Sequence, residues 1–238
     1  MFSYYGSKSK IAHLYPKPLF GKIIEPFAGS ARYSTLYWEN EVHLFDLSDY
    51  VVKVWRYLID AVEADVRGLP DMPSKINIEQ EYPGLSDAER YLIGFHLCRG
   101  KAKPRKTGHG QNSWNRDKQR IAESVNKFSH WQIYQRSYLD IPNFEATWFI
   151  DPPYQQTMAG PNKSDRYTHW NIDYSQLAEW VRSRKGQVIV CEGDGADWLP
   201  FQLLATVNTN TNNRQVKKNG EYIWTQLQTQ PEERHESK

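Results

Sequence analysis

Lys22-Ile23-Ile24 runs into Glu25-Pro26-Phe27-Ala28-Gly29-Ser30-Ala31, and the reading of this stretch decides the fold. A short apolar strand ends in a turn of small residues, after which Tyr33, Leu36 and Tyr37 recur at helical spacing. Small residues let a ligand approach the backbone closely, and the helix that follows offers free N–H groups. The pattern repeats outward. Val42-His43-Leu44-Phe45 is a second strand that runs into Asp46, and Asp49 to Ile59 reads as a helix with Val52, Trp55 and Ile59 on one face. An acid at the end of the second strand is where α/β nucleoside-binding folds hold ribose hydroxyls. The alternative is that Asp46 caps the helix that begins near Ser48.

Further along, Trp148-Phe149-Ile150 and Gln187-Val188-Ile189-Val190-Cys191 read as buried strands. Between them Asp173 can cap a helix with Leu177, Trp180 and Val181 at helical spacing, ending near Gly186. Tyr222-Ile223-Trp224 fits a late strand after an Asn219-Gly220 turn. Strands alternating with helices imply an α/β fold on a parallel sheet.

The strand ending at Ile150 opens into Asp151-Pro152-Pro153-Tyr154. Asp151 brings two acceptor oxygens. The prolines fix φ and remove two backbone donors, so the loop offers carbonyl oxygens on a stiff frame, and Tyr154 adds a flat aromatic face. Acceptors beside a stacking ring suit an exocyclic amino group on a planar base. A proline turn with a solvated Asp is the plainer alternative.

The middle of the chain differs in character. Residues 60–89 are rich in Asp, Glu and Pro and read as a solvated connection. Ser86-Asp87-Ala88-Glu89 fits a capping box for a helix running to about Gly100. Arg99, Lys101, Lys103, Arg105, Lys106, Arg116, Lys118 and Arg120 then face one acid, Asp117. Asn112, Ser113, Trp114 and Asn115 lie among them. Basic residues mixed with amide and aromatic side chains form a nucleic-acid footprint. A helix from about Asp117 to Phe128 closes this segment.

The 238 residues suffice for one α/β domain with a modest insertion. A net charge of +2 says little about partners, whereas 9 Trp and 15 Tyr suit base stacking as well as a core. Cys98 and Cys191 lie far apart without metal-ligand spacing, so neither zinc nor a disulfide framework is expected, and a reducing compartment is. His96 and His169 have no metal-ligand spacing and are given no catalytic part. No signal peptide or apolar run of about 20 residues is seen, so a soluble cytoplasmic protein with no membrane contact is expected.

Taken together these segments resemble the Dam-like, D12-class DNA adenine-N6 methyltransferases, from Tyr4 to about Trp224. Tyr4-Tyr5-Gly6-Ser7-Lys8 is similar to the family's opening aromatic-x-Gly-Gly-Lys element, with Ser7 in place of the second Gly. Glu25 to Ala31 is similar to its E-P-F-x-G-x-G cofactor loop, with Ala31 in place of the final Gly, and Asp151 to Tyr154 is its catalytic motif unaltered. The resemblance implies a Rossmann-like class I methyltransferase sheet of seven strands. Residues 1–64 and 136–230 would bind S-adenosylmethionine, residues 65–135 would be an inserted, mostly helical target-recognition domain, and residues 231–238 a disordered tail.

By the same resemblance, Asp151 and the Pro152 carbonyl would accept hydrogen bonds from the N6 hydrogens of a flipped adenine, with Pro153 stiffening the motif and Tyr154 stacking on the base. Tyr4, Lys8, Glu25, Phe27, Gly29, Asp46, Asp140 and Asp151 would form the cofactor site, Asp140 accepting from the cofactor's adenine amino group. The basic segment, with Arg99, Lys101, Lys103, Arg105, Lys106, Asn112, Trp114 and Arg116, would contact double-stranded DNA. No metal is required. The protein would act as a monomer, or as a weak dimer on DNA, in a bacterial or phage-encoded setting. The recognition sequence and any restriction partner stay open. Two rivals stand beside this: an RNA adenine-N6 methyltransferase, and a DNA-binding protein that kept the fold and lost activity.

Overall fold

The computed structural model describes residues 1–8, 11–97, 101–109, 112–155, 171–210 and 216–228. Cys98, Arg99, Gly100, His169 and the tail 231–238, singled out above, lie outside the described residues.

Seven strands form one sheet: β1 (Lys22–Glu25), β2 (Glu41–Asp46), β5 (Gln132–Gln135), β6 (Ala146–Ile150), β7 (Gly186–Gly193), β8 (Gln202–Asn210) and β9 (Val216–Gln228). Their order is β5-β2-β1-β6-β7-β9-β8, and β9 alone runs against the rest, antiparallel to both β7 and β8. The sheet is thus α/β and mostly parallel, and its order reverses between β1 and β6. In open α/β sheets, ligands bind at such a reversal, beyond the carboxyl ends of the strands.

The apolar runs become strands because both faces of the sheet are covered. Ile23, Val42, Leu44, Phe149, Ile189 and Cys191 enter one core cluster, whereas Ile24, Phe45, Trp148, Ile150, Val188 and Val190 enter another. Neighbouring residues of a strand therefore fall on opposite faces, as the two-residue period requires. Helices α1 (Arg32–Leu36) and α2 (Asp49–Asp60) bury Tyr33, Val51, Val54, Trp55 and Leu58 in the first cluster. On the other face α7 (Tyr174–Arg182) buries Leu177, Ala178, Trp180 and Val181. Asp173 caps α7, its Oδ1 accepting from the Ser175 and Gln176 amides at 2.9 and 3.0 Å.

The segment from residue 60 to 89 is not the solvated connection expected from its composition. It holds α3 (Glu63–Gly68), β3 (Lys75–Asn77) and α4 (Ile78–Glu81). Val66, Leu69, Met72, Ile76 and Ile78 are buried in the same cluster as Ile23 and Trp55. Their spacing is irregular, so neither period marks them in the sequence. β3 pairs antiparallel with β4 (Thr107–His109). The expected capping box is formed: Glu89 Oε2 accepts from the Ser86 amide and hydroxyl, both at 2.7 Å, and opens α5 (Asp87–Leu97). α6 starts earlier than expected, spanning Trp114–Val125. Gln132–Gln135 is an edge strand of the main sheet, paired with β2, so the sheet resumes before residue 136.

Asn219-Gly220 does not make a turn. Both residues lie within β9, Gly220 opposite Thr206. The glycine serves close approach instead: its amide donates to Asp194 Oδ2 at 2.9 Å, and a Cβ there would come within 2.5 Å of Asp194 Oδ1.

Candidate active site

A cleft of about 370 Å³ lies at the switch point, lined by the segments that follow β1, β2, β5 and β6 together with residues from the N-terminal Tyr4–Lys8 segment. The stretch after β1 forms its floor. Gly29 holds φ +46°, and a Cβ built there would meet Tyr4 Cδ1 at 3.0 Å. Ala31 takes φ 45° and ψ 47° at the start of α1, the left-handed conformation that a glycine adopts without cost. Ser7 accepts from Ser30 Oγ and from Arg32 Nε, both at 3.1 Å. Ser7 therefore ties the N-terminal segment to the loop and to α1.

Asp46 ends β2 just ahead of α2 and lines the cleft. Its Oδ1 accepts the Ser48 amide at 2.8 Å at the start of α2, and its Oδ2 accepts the Gly29 amide at 3.0 Å while the residue lines the cleft. Glu25 is 2% exposed, and its Oε1 accepts from the Ser34 amide at 2.9 Å and the Ser34 hydroxyl at 2.5 Å. Burial lifts its carboxyl to about 8, the Ser34 donors pulling the other way. Glu25 thus fastens β1 to α1 at the inner wall. Phe27 lines the cleft and packs its ring on Tyr138 at 5.5 Å.

At the far end lies a compact polar group. Lys8, buried, brings its Nζ to 3.0 Å from Asp151 Oδ1 and 3.4 Å from Glu221 Oε1, and donates to the Tyr154 hydroxyl. The Tyr154 and Tyr15 hydroxyls each donate to Glu221 Oε1 at 2.6 Å. Burial works against the Lys8 ammonium, but Asp151 and Glu221 outweigh it and hold its pKa above the usual lysine value. Burial raises the Asp151 carboxyl to about 6 against the pull of Lys8, with Glu221 adding to the rise. The Asp151 side chain keeps 23% exposure, so solvent relieves part of that burial. The Pro153 carbonyl accepts the Tyr174 hydroxyl at 2.6 Å, which braces the turn; Pro152 is buried.

Tyr4, Lys8, Glu25, Phe27, Gly29, Asp46, Asp151 and Pro153 all line this one cleft. Asp140 does not. It is exposed in a 3-10 turn, Tyr138–Asp140, and its neighbours Arg136, Ser137, Tyr138 and Leu139 line the cleft in its place. Tyr154 also stands outside the lining: Lys8 sits 4.3 Å from its ring centroid, and its hydroxyl is held by Lys8 and Glu221.

The basic segment divides. Trp114, expected as a stacking group, is fully buried, and its Nε1 donates to the Pro70 carbonyl at 2.8 Å. A ring closed off in this way offers no face to a base. Asn112 is likewise structural: its Oδ1 accepts the Trp114 amide at 3.1 Å and its Nδ2 donates to the Met72 and Pro73 carbonyls. Lys106 pairs with Glu79 at 2.8 Å, and Arg116 with Asp117 at 3.0 Å. Lys101, Lys103 and Arg105 are exposed on the stretch that leads into β4.

The composition of the sequence left Glu221, Tyr15 and Arg136 unmarked. An acid between Gly220 and Tyr222 reads as a solvated strand position until β9 is seen to pass between β7 and β8. Among the described residues, no helix is long and apolar enough to cross a membrane, and no cluster of three metal-ligating side chains occurs.

No protein-family model matches the chain, and no curated protein matches it. A crystal structure of a Haemophilus influenzae protein provisionally described as a methylase aligns over 85% of this chain and 78% of that one, at 12% identity and a TM-score of 0.32. A likeness that weak carries no weight for fold or function.

Proposed function

We propose that the chain is an S-adenosylmethionine-dependent methyltransferase acting on the N6 amino group of adenine in duplex DNA. One observation carries the reading: Asp151, at the end of β6, and the Gly29–Asp46 pair, at the ends of β1 and β2, open into the same switch-point cleft. The first supplies an acceptor suited to an exocyclic amine, the second a backbone loop and an acid suited to a nucleoside. S-adenosylmethionine, when bound, supplies an electrophilic methyl group on a sulfonium and needs no metal.

The chain's own residues would do the rest. Tyr4, Phe27, Gly29 and Asp46 hold the donor, and Asp151 accepts from the amine and orients its lone pair. With the donor held there, its methyl would pass to N6 and the bonding pair would stay on sulfur, while Asp151 faces the amine as the nitrogen sheds its proton to solvent. A preorganised acceptor facing the charge that develops on N6 is commonly worth about 3 kcal/mol of barrier. The base must first leave the duplex, at a cost of a few kcal/mol. Lys101, Lys103 and Arg105 are the exposed cations for phosphate contacts.

The test is transfer of labelled methyl from S-adenosylmethionine to duplex DNA of mixed sequence, with digestion and mass spectrometry to identify the product base. N6-methyladenine from the wild type, and its loss in Asp151→Asn with donor binding kept, is the expected result. Transfer to structured RNA but not to DNA would change the polymer. Absence of donor binding by calorimetry would sink the reading.

A further inference from the structure

Glu221 stands behind the catalytic motif, on a strand that no motif covers. Its Oε1 is within 3.4 Å of Lys8 Nζ and takes the hydroxyls of Tyr154 and Tyr15 at 2.6 Å each. It is 6% exposed and does not line the cleft. Such a buried carboxylate persists only when it is paired and hydrogen-bonded, and here every partner but Tyr15 belongs to the site.

The charge balance gives the arrangement its meaning. One ammonium, Lys8, lies between two carboxylates, Asp151 at 3.0 Å and Glu221 at 3.4 Å. With both carboxylates ionised, the trio carries a net charge of −1. If Glu221 were neutral, Lys8 would cancel Asp151 outright and weaken it as an acceptor. Tyr154 is fixed by the same oxygen, which sets the end of the Asp151–Tyr154 turn.

We infer that Glu221 is a positioning residue that acts through Lys8 and Tyr154: by sharing the Lys8 ammonium it leaves the Asp151 carboxylate only partly cancelled, and so a stronger acceptor toward the cleft. The inference rests on the proposed methyltransferase reading for its purpose, though its electrostatics can be measured without any turnover. The groups that face Asp151 are Lys8 and Tyr15 from the N-terminal segment, Glu25 from β1, Tyr154 from its own turn, Cys191 and Glu192 from β7, and Glu221 from β9. Among these Glu221 is a carboxylate that shares the Asp151 counter-ion. Burial, more than any charge, sets the Asp151 carboxyl high, and Glu221 adds to it as a like charge.

The experiment is carboxyl-carbon NMR titration of the full chain, with the Asp151 and Glu221 signals assigned by their loss in Asp151→Asn and Glu221→Gln. In Glu221→Gln the Asp151 midpoint should fall, because a like charge is gone. Single-turnover methyl transfer should lose about tenfold at its plateau, the factor that a differential interaction of about one pKa unit makes. Its acid limb should move to lower pH while KM for the donor stays near wild type. A purely structural Glu221 would lower stability and leave that limb in place. Should Glu221→Gln not fold, Glu221→Asp carries the carboxylate one methylene farther from Lys8, and the Asp151 midpoint should fall part of the way. An unmoved Asp151 midpoint in folded Glu221→Gln, or in Glu221→Asp where Glu221→Gln does not fold, overturns the inference. A wild type that fails to bind S-adenosylmethionine would sink the proposed activity and leave the NMR result to judge Glu221 alone.

Discussion

The ring of Tyr4 lies against Gly29, so that a Cβ at residue 29 would meet Tyr4 Cδ1 at 3.0 Å. The two residues close the floor of the cleft from opposite ends of the N-terminal unit, and both line it. Gly29→Ala adds this crowding to a left-handed φ of +46°. It should cost about 1–2 kcal/mol of stability, the usual scale for a side chain held in that region. It should also weaken donor binding more than the stability loss accounts for, because Tyr4 must move. Urea denaturation and calorimetry on the same variant check both parts.

Ala31 supplies the reverse case. It holds φ 45° with a Cβ. Ala31→Gly removes that strain and should stabilise the protein by about 1 kcal/mol, even though glycine gives the unfolded chain more freedom. A loss of stability in denaturant titration would show that the buried Ala31 methyl outweighs the backbone.

The contribution of Glu25 to stability should decline as pH rises, against the opposite slope of the buried Met1 amine. The Glu25 carboxyl is lifted by burial from its ordinary 4.5 to about 8 in the folded protein. The folded state therefore binds this proton more tightly than the unfolded chain does. The stability it contributes is fully present below pH 4.5 and is lost as pH rises through about 8. Burial moves Glu192 to about 7 and Asp151 to about 6, in the same direction. Glu25→Gln keeps an acceptor for Ser34 without the charge. It should flatten the upper part of this decline and raise the melting temperature at pH 8, as scans across the range would show.

The basic segment should split by experiment as it does by structure. Trp114→Ala removes a fully buried ring and should cost about 3–5 kcal/mol, so it will read as a folding defect. Neutralising Lys101, Lys103 and Arg105 together should leave stability within about 0.5 kcal/mol, as exposed substitutions do. It should lower the slope of log affinity against log salt by up to about 2.7, from about 0.9 per phosphate contact. An unchanged slope in a salt series would take these three residues out of the DNA surface.

Much of this was legible in the chain because β1, β6 and β7 are apolar runs covered on both faces, where pattern and burial coincide. The loops that follow them carry Gly29, Asp46 and Asp151, so the cleft could be anticipated from strand ends. Edge strands were harder. Gln132-Ile133-Tyr134-Gln135 and β8 have a polar side to solvent, and their membership depends on neighbours remote in sequence. Trp114 sat among Asn and Arg residues and looked like a stacking ring; only its bond to the Pro70 carbonyl explains its burial. Asp140 precedes β6 closely enough to suggest the site, yet a 3-10 turn hands the cleft to Arg136 and Leu139 instead. Glu221 carried no sign at all, since its role comes from the lysine it shares with a residue on another strand.

The position of β9 sets an order of events during synthesis. This strand is made after β7 and β8, yet it must enter between them, and it brings Glu221 to Lys8 from the opposite end of the chain. A ribosome-bound chain that has released β1 through β8 already carries Lys8 and Asp151 but lacks Glu221, the second carboxylate. Until β9 arrives the Lys8 cluster is a carboxylate short, and a chain cut before β9 would be born with its Asp151–Tyr154 stretch whole and that cluster unfinished.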